Sequence, residues 1–253
     1  MLSLTRRVLN KLGIKRILFN NAAVGTKNES TRVAWLEKTL KEIPPNSRIL
    51  DAGAGEQQFK KFCSHLNYVS QDFAQYNGNG DGKGLQTGVW NQNQLDIVCD
   101  ITVIPEPDES FDAILCTEVF EHLPNAVLAI KEFSRLIRKN GYLIITAPFC
   151  SLTHFSPHHY TTGFNSYFYE MHLPNYGFEI VELQRNGNFF EYVAQEVRRI
   201  PNVSNKFSNS SPNKLERLAI EILLNMLQKF SSKDKGSEEL LNHGLHIIAI
   251  KNQ

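Results

Sequence analysis

Residues Arg48 to Gly55, RILDAGAG, constrain the fold more than any other stretch of this chain: a short apolar run closes on an acid and opens into two glycines one residue apart. Arg48, Ile49 and Leu50 suit a strand buried inside a parallel sheet. Gly53 and Gly55 accept the left-handed backbone and let a ligand approach bare main chain. A strand that delivers such a turn binds a nucleotide-like molecule.

The turn is not a complete dinucleotide fingerprint. G-x-G-x-x-G requires a third glycine that packs helix on strand, and Gln58 stands there. Asp51 argues the same way, since a carboxylate just before the turn repels a pyrophosphate and attracts a cofactor that carries an ammonium and a sulfonium. S-adenosylmethionine is such a cofactor. Two further strand-end acids fit it. Asn67 to Phe73 reads as a second strand ending in Asp72, about 20 residues past the turn, where an acid reaches both ribose hydroxyls. Leu95 to Ile101 reads as a third, with Asp100 placed to accept from an adenine amino group and Ile101 to pack on the ring.

From Ser47 to Leu183 the chain resembles the class I S-adenosylmethionine-dependent methyltransferases, in the methyltransferase type 11-like branch that carries D-x-G-x-G, strand-end acids and a segment like FDAILCTEVFEHLPN. One departure is Gln57, where that branch usually has a third glycine. The resemblance implies a Rossmann-like α/β fold with a seven-stranded, mostly parallel sheet. Its seventh strand, Gly244 to Lys251, is antiparallel and lies between strands five and six. It also implies S-adenosylmethionine as cofactor, held by Asp51, Gly53, Gly55, Asp72, Asp100, Ile101 and Glu118. Phe111 to Cys116 is the expected fourth strand, Asn125 to Lys139 a helix stopped by Asn140-Gly141, Gly141 to Phe149 the fifth strand and Phe178 to Leu183 the sixth.

The domain organisation follows. Residues 1–44 are expected to form N-terminal cap helices, and 45–185 with 243–253 the methyltransferase core. Residues 186–242 form a helical insertion between strands six and seven, with helix-like runs at Asn188 to Arg199 and Pro212 to Phe230. Leu215, Leu218, Ile222 and Met226 follow helical spacing, as in an acceptor lid or a dimer contact. The segment between Asp72 and Leu95 has five glycines among asparagines where a crossover helix would stand, and reads as loop.

Composition narrows the setting. With 253 residues, 42% of them hydrophobic, the chain can bury a core without disulfide or metal staples. Its four cysteines form no C-x-x-C pair and read as reduced core thiols of a cytoplasmic protein. No run of about 18 apolar residues occurs. A net charge of +1 argues against a broad nucleic-acid surface, so no nucleic-acid partner is expected and the acceptor is expected to be a small molecule. Residues 1–20 hold five basic residues and no acid, interleaved with leucines, which makes them a cap helix with a solvated basic side or a contact with an anionic membrane surface. The oligomeric state is not readable.

Two segments carry candidate chemistry. In Thr117 to His122, TEVFEH, a helical turn would bring Glu118, Glu121 and His122 to one face. This resembles the E-x-x-E-H site of metal-dependent 2′-O-methyltransferases of small RNAs and of ubiquinone-pathway O-methyltransferases, and implies a divalent cation on the accepting hydroxyl. After strand five, CSLTHFSPHHYTTGFNSYFY offers His154 and His159 as candidate general bases and aromatic side chains as an acceptor wall. The reading is methyl transfer from S-adenosylmethionine to the oxygen of a small hydroxylated acceptor such as a sugar or polysaccharide precursor. The alternatives are a membrane-borne prenylated phenol as acceptor, or a non-catalytic cofactor-binding regulatory protein.

Overall fold

The structure, a computed structural model, describes residues 22–252. The basic segment at residues 1–20 lies outside the described residues. The chain divides into two compact units, the larger built from Ser30–Asn186 and the C-terminal residues from His243 onward.

In the larger unit, helix α1 (Asn28–Glu42) precedes β1 (Arg48–Ala52), β2 (Asn67–Asp72), β3 (Ile97–Val98) and β4 (Phe111–Thr117). Helix α2 (Ala126–Leu136), β5 (Ile137–Pro148), α3 (Ser166–Asn175), β6 (Phe178–Asn186) and, at the C-terminus, β7 (Gly244–Lys251) follow. The seven strands form one sheet in the order β3-β2-β1-β4-β5-β7-β6. The pairs from β3 to β5 are parallel, and β7 runs antiparallel to both β5 and β6. This is the Rossmann-like arrangement that the family resemblance implies.

Successive residues of a strand point to opposite faces, so each central strand feeds two cores. Leu50, Ile114, Cys116, Leu143 and Ile145 pack on one face with Phe120, Ile130, Phe133 and Tyr169. Ile49, Ala113, Leu115 and Ile144 pack on the other with Trp35, Leu36 and Leu40 of α1 and with Phe59 and Cys63. Burial on both faces explains why these strands read as unbroken apolar runs.

The helix expected over Asn125–Lys139 starts where the sequence places it, with the Asn125 side chain accepting from the Val127 amide, but it ends at Leu136. Ile137 already pairs with Phe111, and the next partners are Ala113 and Tyr142, so the pairing jumps across the Asn140-Gly141 pair. Asn140 takes φ 63°, and a Cβ on Gly141 would lie 2.8 Å from the Asp112 carbonyl oxygen. The Asn-Gly signal therefore makes an irregularity inside β5 rather than a helix stop. The third strand is also shorter than its apolar run, covering only Ile97–Val98.

The smaller unit pairs α4 (Phe189–Ser208) with α5 (Lys214–Ser231). Asn188 caps α4, which runs on past Arg199 and through Pro201. Asn213 and Glu216 form a reciprocal capping box on α5. Val24, Ala194, Val197, Leu224 and Leu227 make its core. Leu215, Ile222 and Met226, the apolar spacing noted in the sequence, are instead exposed. No helix among the described residues is long and apolar enough to cross a membrane.

Candidate active site

The β1 turn is tied to β2 by main-chain bonds: the amides of Gly53 and Ala54 both donate to the Gln71 carbonyl at 2.8 Å. Gly53 has φ 79°, and a Cβ there would sit 2.4 Å from a Val119 methyl. Gln57, standing where related sequences place a third glycine, adopts the left-handed conformation itself (φ 58°), and its side-chain amide donates to the Gln94 carbonyl at 2.7 Å. The departure from the glycine pattern is thus absorbed locally, at a cost of about 1–2 kcal/mol in backbone strain.

A cavity of about 580 Å³ opens at this turn, lined among others by Gly53, Asp72, Asp100, Ile101, Glu118, His122, Phe155 and Tyr160. Its lining includes three acids and no lysine or arginine among the described residues. Such a wall favours a cationic ligand over a pyrophosphate. Asp72, 5% exposed, accepts from the Gly55 amide at 3.0 Å and the Ala74 amide at 2.8 Å, which fixes its carboxylate at the end of β2. Asp100 accepts from the amide and the hydroxyl of Thr102, so it also closes the turn after β3. Gly55 does not line the cavity, and its Cα faces the ring of Trp90.

Asp51 differs from its sequence-based role. It does not line the cavity: it is buried, and the Tyr68 hydroxyl donates to it at 2.5 Å. Burial raises its pKa to about 7, against the Tyr68 bond, which lowers it, and with Asp72 adding repulsion. A carboxyl whose folded pKa is raised stabilises the fold while protonated. That contribution is complete below the ordinary value of 3.8 and is lost as pH rises through about 7. The urea midpoint of the wild type should therefore fall relative to Asp51→Asn between pH 5 and 7, by about 1.4 kcal/mol per pH unit. Parallel curves for the two proteins would exclude this.

The end of β4 holds the second group of ligand-type side chains. Phe120–His122 form a short 3-10 turn rather than a full helical face. Glu118 has φ 53°, accepts from Arg32 of α1 at 3.0 Å and from the Thr146 hydroxyl at 2.9 Å, and is thereby engaged outside the group that Glu121 and His122 form. The side chain that joins Glu121 and His122 is His154. Their ligand atoms all lie within 4.8 Å of one another. His122 Nδ1 contacts the His158 carbonyl at 2.5 Å and His154 Nδ1 the Leu152 carbonyl at 2.8 Å. Each contact assigns the ring proton to Nδ1 and leaves Nε2 toward the Glu121 carboxylate, at 3.6 and 3.8 Å. Glu121 Oε2 and His122 Nε2 are buried without a hydrogen-bond partner. Burial, reinforced by Glu118, pushes the Glu121 carboxyl well above the usual range, and burial drives His122 down to about 3.

His159 Nε2 lies 3.2 Å from the Ser151 hydroxyl, and its ring is 4.8 Å from that of His154. Burial and His154 lower its pKa. Of the two histidines expected as bases, His154 thus stands in the carboxylate cluster and His159 beside it. The sequence reading missed Arg32 altogether. A lone arginine on the polar side of a helix has no motif, and only the fold brings it to Glu118.

Residues 50–145 match the methyltransferase domain family. The chain is 31% identical over 117 residues to the human probable tRNA methyltransferase 9B, which covers 44% of this chain and 24% of that protein. It is 26% identical over 140 residues to the mouse protein of the same name, covering 54% and 30%. The chain therefore spans less than a third of the length of these curated relatives. A SAM-dependent methyltransferase from Archaeoglobus fulgidus superposes with a TM-score of 0.54 at 14% identity, over 88% of this chain and 94% of that one, which shows a shared fold. These relatives correct one expectation. A modest net charge argued that nucleic acid is not a partner, and that does not stand beside relatives named for tRNA methylation. Net charge reports the average surface and says little about one local face. The match over β1 to β5, the sheet order and the acid-lined cavity at the glycine turn converge: residues 50–145 carry a methyltransferase domain, on a Rossmann-like sheet, with S-adenosylmethionine as its cofactor.

Proposed function

We propose that this domain transfers the methyl group of S-adenosylmethionine to an oxygen of a hydroxylated acceptor, with a divalent cation held by Glu121, His122 and His154. The observation that carries the reading is the pair of buried, unpartnered ligand atoms on Glu121 and His122, with both histidines presenting Nε2 to one carboxylate. Unsatisfied buried polar atoms are costly, and backbone carbonyls on Nδ1 are the usual support of metal-bound imidazoles. A cation there would lower the pKa of the acceptor hydroxyl and hold its oxygen.

The chain's own residues supply the rest. Asp72 holds the ribose hydroxyls, Asp100 and Ile101 the adenine, and the acid-lined wall favours the sulfonium. Alignment of oxygen, methyl and sulfur provides most of the acceleration. The acceptor oxygen forms the new bond to the methyl carbon while the carbon–sulfur bond breaks and its electron pair returns to sulfur, leaving neutral S-adenosylhomocysteine. The hydroxyl proton passes to His159, whose imidazole is biased by burial and by His154 toward the neutral form that can accept it. The first reading takes a small hydroxylated molecule as acceptor. A tRNA acceptor is the second reading, favoured by the name of the curated relatives.

Labelled cofactor incubated with a tRNA fraction and, separately, with a small-metabolite fraction distinguishes the two. Chelator should abolish transfer in either, Mn²⁺ should restore it, Glu121→Gln should lose it under both conditions, and His159→Ala should slow it by about 10²-fold. Full turnover of Glu121→Gln in chelator would remove the cation from the reaction.

A further inference from the structure

The glycine-rich segment between β2 and β3 reads in the sequence as a surface loop, but its contacts are too specific for a passive insertion. The Leu85 amide donates to the Thr153 carbonyl at 3.0 Å, and the Leu85 carbonyl accepts from the Phe155 amide at 3.1 Å. These two bonds straddle His154. The Asp81 amide adds a third, to the Ser156 carbonyl at 3.1 Å.

The side chains continue the contact. Phe155 is sandwiched between Tyr76 of the loop, stacked at 4.5 Å and 21°, and His122 of the cluster, stacked at 4.9 Å and 15°. Tyr76 is 3% exposed, and its hydroxyl lies 2.6 Å from Gln86 Oε1, which ties the two arms of the loop together. Trp90, on the far arm, packs edge-on against both Tyr76 and Phe155.

The glycines divide into two kinds. A Cβ on Gly80 would lie 1.9 Å from the Ser156 carbonyl oxygen, and one on Gly84 would lie 2.5 Å from that of Thr153. Both glycines are where they are because the loop backbone touches the histidine-bearing backbone. Gly82 has φ 77°, like its neighbours left-handed, yet a Cβ there would meet nothing within 4 Å. Gly82 thus carries the same backbone strain on substitution without the steric contact.

We propose that residues 76–90 are a positioning element: by clamping Thr153 to Ser156 and wedging Phe155 against His122, they hold His154 in register with Glu121 and His122. Gly80, Gly84 and Leu85 are positioning residues outside the cavity lining, whereas Tyr76 both lines the cavity and stacks on Phe155. The consequence for metal affinity rests on the cation reading above, whereas the placement of His154 does not.

Two readouts separate these. The first is the imidazole Hε1 NMR signals of His122 and His154, assigned with His122→Gln and His154→Gln. The second is Co²⁺ binding followed by its visible absorption. Calorimetry with S-adenosylhomocysteine checks that each variant retains a folded cofactor site. Gly84→Ala should shift both Hε1 signals and weaken Co²⁺ binding by about 10- to 100-fold, the effect usual for supporting contacts of metal-bound histidines. Its affinity for S-adenosylhomocysteine should stay within about twofold. Gly82→Ala should leave the signals and Co²⁺ affinity unchanged. If wild type takes up no Co²⁺ yet Gly84→Ala still shifts the Hε1 signals, the positioning role stands and the cation reading falls. If Gly84→Ala leaves the signals in place, or if Gly82→Ala shifts them equally, the positioning role is overturned. Should Gly84→Ala fail to fold, Tyr76→Leu should shift both Hε1 signals and Tyr76→Phe should restore the stack and the signals; because Tyr76 lines the cavity, S-adenosylhomocysteine binding serves these two variants only as a check that they are folded.

Discussion

Asp72→Ala should lower the affinity for S-adenosylmethionine by about 100-fold or more. Hydrogen bonds to a charged group contribute about 1.5–3 kcal/mol each, and every 1.4 kcal/mol is a factor of ten. The loss has two sources. The carboxylate would grip the ribose hydroxyls, and it already holds the cofactor turn through the Gly55 amide at 3.0 Å and its own turn through the Ala74 amide at 2.8 Å. Asp72→Asn keeps an acceptor for one of those amides and loses the charge, so it should fall between alanine and wild type. Calorimetric titration with S-adenosylhomocysteine avoids any dependence on an acceptor. An affinity for Asp72→Ala within about threefold of wild type would show that the ribose is held elsewhere.

Phe120→Ala should cost about 3–5 kcal/mol of stability. Phe120 is fully buried and packs on Phe133, Phe164 and Tyr169, with ring centroids 5.9 to 6.4 Å apart. Its removal leaves a cavity among rigid rings that cannot close on it. The same turn carries Glu121 and His122, so the core behind the site also sets the position of the cluster. The urea midpoint reads the loss, and Phe120→Leu, which keeps much of the volume, should cost less than half as much. A loss below about 1 kcal/mol for Phe120→Ala would mean that the site region unfolds separately from the sheet.

Much of the site was legible where chemistry and local pattern coincide. Asp72 and Asp100 end apolar runs, and the strand direction places both at the same edge of the sheet, on the cavity wall. Asp51 occupies the equivalent sequence position, but the parity of the strand decides which way a side chain faces, and it enters the buried layer beside Tyr68. Glu118 and His154 show the same limit. E-x-x-E-H spacing suggested that Glu118 completes a ligand set, yet a 3-10 turn and a left-handed Glu118 direct that carboxylate to Arg32, and the place beside Glu121 is taken by His154, 33 residues beyond it in the chain. The Asn140-Gly141 pair was misleading for a related reason. A residue pair that tolerates positive φ marks an irregularity, and only strand pairing says whether a helix or a strand contains it.

Local periodicity, acting over fewer than about ten residues, marks a buried parallel strand that delivers a glycine turn, because both are defined by their own side chains, while the seven-stranded order and the cofactor followed from the resemblance of the whole run of motifs to a known family. The tertiary structure alone decided which carboxylate faces the cavity, which histidine joins Glu121 and His122, and that a glycine-rich stretch is clamped to the segment carrying that histidine. Those outcomes depend on contacts between residues tens of positions apart, whose geometry is set by the packing of the sheet and no local pattern encodes.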